Sequence, residues 1–527
     1  MNQFFSSVFT RSDEDFPSKE PINGNAVLDD FEVTEERVKR LIDGMRENAA
    51  AGPDKIPPII LKMLRDEVAA PLTKLFQRSI DEGRIPEDWR NANVVPIFKK
   101  GSRGESGNYR PISLTSVTGK LLERMIKNEI DAHIENNKLI KDSQHGFRRG
   151  RSTQTNLIEF LNVTTRWGDE GKCHDVVYLD FSKAFDVVCH RRLQEKLRAI
   201  GIQGKVIKWI EDWLSRRKQR VVIDGNYSEW EAVVSSVIQG SVLGGIFFDI
   251  FIDDINDEVL EALLRKFADD TKLAMVIQNI KDAQWMQENL NRICEWAERW
   301  RMCFNVKKCL VMHYGKNNIR YEYEMYGRVI KEAKEEKDLG VWVEEDMRPS
   351  KQCRMAAQSA NWALGQLSRA FHFIRPKLEH AVAAWSPWQE GDKEVLEKVQ
   401  RRLVRILSDK KVDTYEDRLR SIGLTLLVER RQRRDMIEVF RTMKGFNRVE
   451  KENWFRFRDN NSNRATRTTV SVTGNVEQQR ENVLFKENVR LDTRKNFFSV
   501  RVVDKWNRIP DEIRKQKTIN GFKNKYD

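Results

Sequence analysis

Two aspartates stand side by side at positions 269 and 270, inside "KFADDTKLAM", between short apolar runs. Adjacent carboxylates repel each other, and in a β-prone stretch they favour a turn over a continuing strand. A third acid, Asp180, closes "HDVVYLDF", where Val176 to Leu179 run without a break into the carboxylate. A continuous run of that kind suits a strand covered on both faces. If this strand and the hairpin lie side by side in one sheet, three carboxylates converge at one edge. Divalent cations resolve their repulsion: hard Mg²⁺ prefers oxygen ligands and completes its shell with substrate phosphates. Two such ions steady the attacking and leaving oxygens of an in-line displacement at phosphorus. Taken alone, an Asp-Asp hairpin reads equally well as a solvated turn.

The surrounding pattern supplies elements able to hold such a site. Helical spacing runs through "TEERVKRLIDGM", then "PPIILKMLRDEVAAPLTKLFQRSIDEG", opened by Pro57 and closed by Gly83, then "TGKLLERMIKNEIDAHIENN". Amphipathic helices follow Asp180 at 191–200 and 204–215, and a strand pair turns at Asp224–Asn226. "SVLGGIFFDIFIDDI" reads as a buried helix, and the tryptophans of "AQWMQENLNRICEWAERW" as a core stripe. Beyond about residue 350 strand signals fade. In "EVLEKVQRRLVRIL" one face carries Val395, Leu396, Val399, Leu403 and Ile406, with Arg401, Arg402 and Arg405 largely off it.

The chain of 527 residues is too long for one core, so several lobes are expected. It carries 93 Lys and Arg against 80 Asp and Glu, a net charge of +13, and the excess is concentrated at 401–445. A basic excess on a folded body points to polyanions, most commonly nucleic acid. No apolar run is long enough to span a bilayer and the first residues lack a secretory pattern, so a membrane role is not expected. Six cysteines form no CxxC pair, and Cys303, Cys309 and His313 lack the spacing of common zinc sites. An intracellular setting, cytoplasmic or nuclear, follows from free thiols.

"AAGPDKIPP", "NYRPISLTSVTGKLLERMI", "SQHGFRRGRSTQTNL", "VVYLDFSKAFDVV", "QGSVLGGIFF", "FADDTKL", "FNVKKC" and "KDLGVWV" follow one another in order. Together they closely resemble the reverse transcriptase of jockey-like non-LTR (LINE-type) retrotransposons, without the endonuclease that normally precedes it. The resemblance runs from about residue 4 to the end. It implies an α+β right-hand polymerase with fingers, an antiparallel-sheet palm, a helical thumb and a C-terminal extension. In residues, 1–35 would be a linker, 36–350 fingers and palm, 351–450 a thumb, and 451–527 the C-terminal segment. The implied activity is RNA-directed DNA synthesis from an RNA template, a DNA primer and dNTPs, with two Mg²⁺ ions or Mn²⁺ in their place.

Residue by residue, the resemblance makes Asp180, Asp269 and Asp270 the metal ligands, with the Phe181 carbonyl beside them. Phe185 becomes the steric gate under the sugar, where it would exclude a 2′-hydroxyl. Gln239, Gly240 and Ser241 would lie against template and nucleotide. Arg110 would meet the triphosphate, a task suited to a planar fork. Lys308 would be the general acid toward pyrophosphate, and Leu339 and Gly340 the primer grip. Arg148, Arg149 and Arg151, with Arg401, Arg402 and Arg405, would lie along the nucleic acid; in isolation each group reads as a solvated basic face. "SSVIQGSVLGG" places Ser236, Ile238 and Gly245 where the family writes glycine and two prolines. Those changes are expected to loosen the loop. Lys55 and Cys189 also replace a usual glycine and proline, and the thumb reads as shortened before "RPKLE". A catalytically weak or silent nucleic-acid-binding remnant is therefore the alternative reading. A host-adopted, telomerase-like polymerase is a second, disfavoured by the lack of extra template-binding domains.

Overall fold

A computed structural model describes residues 1–10, 26–366, 371–408, 414–457 and 483–527. Its first elements, α1 (Asn2–Ser6), α2 (Glu35–Asp43), α3 (Pro58–Met63) and α4 (Arg65–Glu82), build one lobe together with a small sheet. The long helix expected over 57–83 breaks at Leu64, whose ψ of 26° leaves the helical region. Its end is as expected: Gly83 closes α4 in the left-handed conformation.

The sheet of this lobe pairs β1 (Asn91–Phe98) with β2 (Tyr109–Leu114) as an antiparallel hairpin. Helices α5 (Val117–Asn137) and α6 (Thr153–Asp169) follow. The cap of α6 is written in the sequence: Ser152 Oγ accepts from the Thr155 amide and Thr155 Oγ1 from the Ser152 amide. This reciprocal pair satisfies donors that a helix start leaves open.

The central sheet is built around β3 (His174–Leu179). After α7 (His190–Ala199) and α8 (Gly204–Leu214), the chain returns to the first lobe. There β4 (Arg217–Ile223) lies parallel to β1, with β5 (Asn226–Tyr227) and β6 (Glu231–Val233) beside it. Helix α9 (Gly244–Ile252) precedes the hairpin of β7 (Leu263–Phe267) and β8 (Asp270–Val276). Helix α10 (Ile280–Arg299) and β9 (Leu310–Tyr314) complete the centre. The strand order is Lys331–Glu332, β9, β3, β8, β7, and every pairing except the outermost at Lys331–Glu332 is antiparallel.

Alternation along β3 explains its unbroken apolar run. Val177 and Leu179 point into one core, shared with Leu193, Leu197, Phe247 and Ile250 of α7 and α9. Val176 points into another, shared with Leu157 and Phe160 of α6 and with Trp454, Phe498 and Trp506 near the chain end. Both faces are therefore covered, and α7, α8 and α9 lie on one of them. Each fully buried aliphatic side chain contributes about 1.5–3 kcal/mol.

Helices Ser350–Gln366, Phe371–Glu379, Glu390–Leu407 and Leu427–Met443 pack together beyond the sheet. The molecule is thus the right hand implied by the sequence: fingers, an antiparallel-sheet palm and a helical thumb. Ile406, placed on the buried face from its spacing, is 48% exposed, because its helix ends one residue later. Lys410 and Lys411 lie outside the described residues.

His145 and His174 are each 1% exposed, and burial pulls both down to about 4. A histidine free in the unfolded chain titrates near 6.5. The unfolded state therefore takes up protons first, and stability present above about pH 6.5 is lost as pH falls toward 4. The expected loss is ~2 kcal/mol per histidine by pH 5. An NMR titration in which either imidazole protonates near pH 6.5 in the folded protein would show that the rings are not held neutral.

Candidate active site

Asp180 follows β3 directly, and the last register pair, Leu179 with Thr271, sets Asp180 abreast of Asp270 on the neighbouring strand. Asp269 occupies the two-residue turn between β7 and β8, where Ala268 has φ +53°. Tight hairpins need positive φ at such a position, which costs a residue with a Cβ about 1 kcal/mol. The strain is held from outside the hairpin. Gln144 Oε1 accepts from the Ala268 amide at 3.0 Å, and the His145 amide donates to the Lys266 carbonyl at 2.9 Å.

The charge of Asp180 adds to burial at both of its neighbours. Burial and then Asp180 push Asp269 up, against Arg110 and Lys99. In Asp270, loss of water in the cleft, then the charges of Asp269, Asp338 and Asp180, push the group up to about 7. Lys308 Nζ donates to both Asp180 oxygens, at 3.0 and 3.4 Å. Among the described residues no group of three or more acidic, His or Cys side chains is placed so that it could hold a metal ion. The donor set nonetheless fits a hard cation: open carboxylate oxygens whose repulsion positive charge would relieve.

Phe181 is 5% exposed and stacks on Phe304 with centroids 4.2 Å apart, so only its backbone faces the acids. Phe185 is half-buried and stacks on Phe248 at 4.4 Å. Arg110, on β2, lies exposed near Asp269 and Lys99. Two basic residues that sequence reasoning missed join this group. Lys99 is pulled down by burial and by Arg110, Lys308 and Lys183. Lys183 Nζ lies over the Phe4 ring at 4.2 Å. The signal was present in "FKKG" and "FSKAF", but one lysine among many carries no weight until the fold sets Lys99 beside Arg110 and Lys308 at the acids. Residues 1–10 belong here too: Thr10 bonds to Val187 and Ser235, so the first ten residues are docked on the site.

The 235–241 loop is stitched down, contrary to the slack loop expected from its composition. The Val237 amide donates to the Phe185 carbonyl, the Ser236 amide to Val188, and the Ser113 amide to the Gln239 carbonyl, all at 2.8–2.9 Å. Gln239 Nε2 reaches Asp186 at 3.4 Å, and burial pushes Asp186 up to about 6. Gly240 has φ +109° with the Ser113 carbonyl against it, so a side chain there has no room. Ser241 Oγ caps the turn into α9 by accepting from the Gly244 amide. The cost of losing glycine at 236 is strain rather than looseness, since Ser236 has φ +103°. Ser236→Gly is expected to raise stability by ~1 kcal/mol in urea unfolding; no gain would mean the backbone relaxes at no cost. Lys55, at another lost glycine, likewise has φ +57°.

Leu339 and Gly340 form the tight turn of the hairpin Glu335–Asp338 and Val341–Glu344, with φ +47° and +87°. A cavity of about 190 Å³ joins this turn to Asp180, Asp270 and Lys308. Asp338, a further missed residue, lines it and pairs with buried Lys272.

The basic motifs are only partly free. Arg148 and Arg151 are 6% and 4% exposed and hold Glu135 and Asp142, so their charge is engaged inside the protein; Arg149 is exposed. Arg401 pairs with Glu394, whereas Arg402 and Arg405 are exposed. None of the last three is brought to the acids. Among the described residues no helix is long and apolar enough to cross a membrane.

The family described as reverse transcriptase (RNA-dependent DNA polymerase) matches residues 97–349. The RNA-directed DNA polymerase from mobile element jockey of Drosophila melanogaster is 27% identical over 346 residues, 64% of this chain and 38% of that protein. The probable RNA-directed DNA polymerase from transposon BS of the same species is 24% identical over 404 residues, 71% and 44% respectively. The chain thus spans under half the length of these curated relatives. A solved apo telomerase from Candida tropicalis overlaps at a TM-score of 0.34 and 13% identity, over 55% of this chain and 59% of that one, too little to carry an argument.

Proposed function

We propose that the protein is an RNA-directed DNA polymerase of the jockey-like, non-LTR retrotransposon kind, from the reverse transcriptase match over residues 97–349 and the similarity to the jockey polymerase. It would add dNTPs to the 3′-hydroxyl of a primer paired with an RNA template. One observation carries the reading: Asp180 stands abreast of Asp270 at one sheet edge, in a cavity shared with the Leu339–Gly340 turn.

Asp180, Asp269 and Asp270 would hold two Mg²⁺ ions, or Mn²⁺, supplying positive charge to the attacking and leaving oxygens when bound. Arg110 and Lys99 would bind the triphosphate, Arg110 through two parallel hydrogen bonds. Lys308, within reach of Asp180, would protonate the departing pyrophosphate. Phe185 would underlie the sugar, and Gln239, fixed through Ser113 and Asp186, would set the templating base. Leu339 and Gly340 would support the primer end, with Arg149, Arg402 and Arg405 meeting backbone phosphates. We place fingers and palm at 36–350, the thumb at 351–450 and the C-terminal segment at 451–527.

Primer extension on poly(rA)/oligo(dT) with Mg²⁺ tests this. Metal-dependent incorporation of dTTP supports it. The strained Ser236 is what favours the silent-remnant alternative, and binding of primer–template with no incorporation, even after Ser236→Gly, would establish that alternative.

A further inference from the structure

Phe147 is a large apolar ring, 50% exposed, on a residue with φ +44°. Both features are unfavourable: left-handed backbone costs about 1–2 kcal/mol for a residue with a Cβ. Strain of this kind persists where the surroundings over-determine it, and it concentrates at working sites.

The surroundings do so here. The segment 143–147 runs along β7, with the Lys266 amide donating to the Ser143 carbonyl at 2.8 Å and the His145 amide to Lys266 at 2.9 Å. Gln144 Oε1 accepts from the amides of both Gly146 and Ala268, at 2.8 and 3.0 Å. A side chain at Gly146 would overlap the Ala268 backbone, so the segment lies flush against the turn that carries Asp269. Phe147 is therefore fixed relative to the acids.

Its ring meets Phe185 edge-on, with centroids 6.2 Å apart and planes at 78°. Phe185 is stacked on Phe248 as well, at 4.4 Å and 14°. Two rings thus hold the third, and α9 makes room for the arrangement. At Gly245 any Cβ would overlap the Phe147 ring, so the ring occupies the space a side chain there would fill. The proline that the resemblance would place at 245 cannot coexist with Phe147 in this position. The two departures from regularity, a strained exposed phenylalanine and a glycine opening a helix, account for each other.

We propose that Phe147, seated against Gly245, is a positioning residue for sugar selection: it holds Phe185 upright so that the gate cannot tilt away from a ribose 2′-hydroxyl. The proposal rests on the reading of Phe185 as the gate. A lone ring stacked on one side can lean to admit one extra oxygen, whereas a ring braced from a second direction cannot. Steric walls of this kind discriminate through small displacements, worth about 10- to 200-fold.

The test reads nucleotide affinity without chemistry. Protein bound to primer–template with a dideoxy-terminated primer is titrated with dTTP and with UTP, for wild type, Phe147→Ala, Phe147→Tyr, Gly245→Ala and Phe185→Ala. Phe147→Ala is expected to narrow the preference for dTTP about tenfold, with dTTP affinity nearly unchanged. Phe147→Tyr, which keeps a ring, should retain the preference. Gly245→Ala, which displaces the ring while leaving Phe147 in the sequence, should reproduce Phe147→Ala, and it decides the matter if that variant fails to fold. A preference that moves in Phe185→Ala but in neither Phe147→Ala nor Gly245→Ala overturns this proposal and leaves the gate standing. A preference unmoved by Phe185→Ala overturns the gate itself, and this proposal with it.

Discussion

Asp180→Asn is expected to abolish primer extension, by on the order of 10³-fold or more, while primer–template binding persists. The substitution keeps the shape and removes the charge from the residue that stands opposite Asp270 and holds Lys308. Loss of one group that stabilises developing charge costs about 10²–10³ in rate. Here the same change also removes a ligand oxygen and releases Lys308 from its position. Extension kinetics and fluorescence anisotropy, run side by side, give the two readouts. Equal loss of extension and binding would mean that Asp180 supports the fold, and residual extension within tenfold of wild type would remove it from the chemistry.

Phe185→Ala is the second large effect. It should raise ribonucleotide incorporation relative to deoxynucleotide by about 10- to 100-fold, measured as the ratio of kcat/KM for UTP and dTTP. The ring lies flat on Phe248, so its removal leaves a slot beneath the sugar rather than a collapsed core. Incorporation of dTTP should remain measurable. An unchanged ratio would make Phe185 an ordinary partner of Phe248 and nothing more.

The positions of the acids were legible before any coordinate. The run Val176–Leu179 had to be buried on both faces, and adjacent aspartates between apolar runs had to turn; both follow from local pattern. The helices flanking them obeyed the same 3.6-residue logic, and their caps, such as Ser152 with Thr155, stand in the sequence beside them. Order of motifs supplied the rest of the site list. Basic character was legible only as an amount. Whether an arginine meets solvent or a carboxylate depends on neighbours far away in sequence, and Arg148 and Arg151 proved to be committed to Glu135 and Asp142.

What only the tertiary structure decided is what lies between distant segments. The parallel pairing of β1 with β4 joins residues more than 100 positions apart, and no local periodicity specifies a partner at that separation. The chain end is packed against α6 beside the central sheet: Asn162 of α6 accepts from Arg494 and Ser499 and donates to the Asn453 carbonyl. Composition could say that Ser236 and Gly245 break a pattern, but not with what consequence. Hydrogen bonds to Phe185, Val188 and Ser113 turn the first into strain instead of slack, and the ring of Phe147 turns the second into a fitted space. Sequence carries local preference and the periods of burial; which strained residue is tolerated, and what it braces, is set by contacts that exist only once the chain has closed on itself.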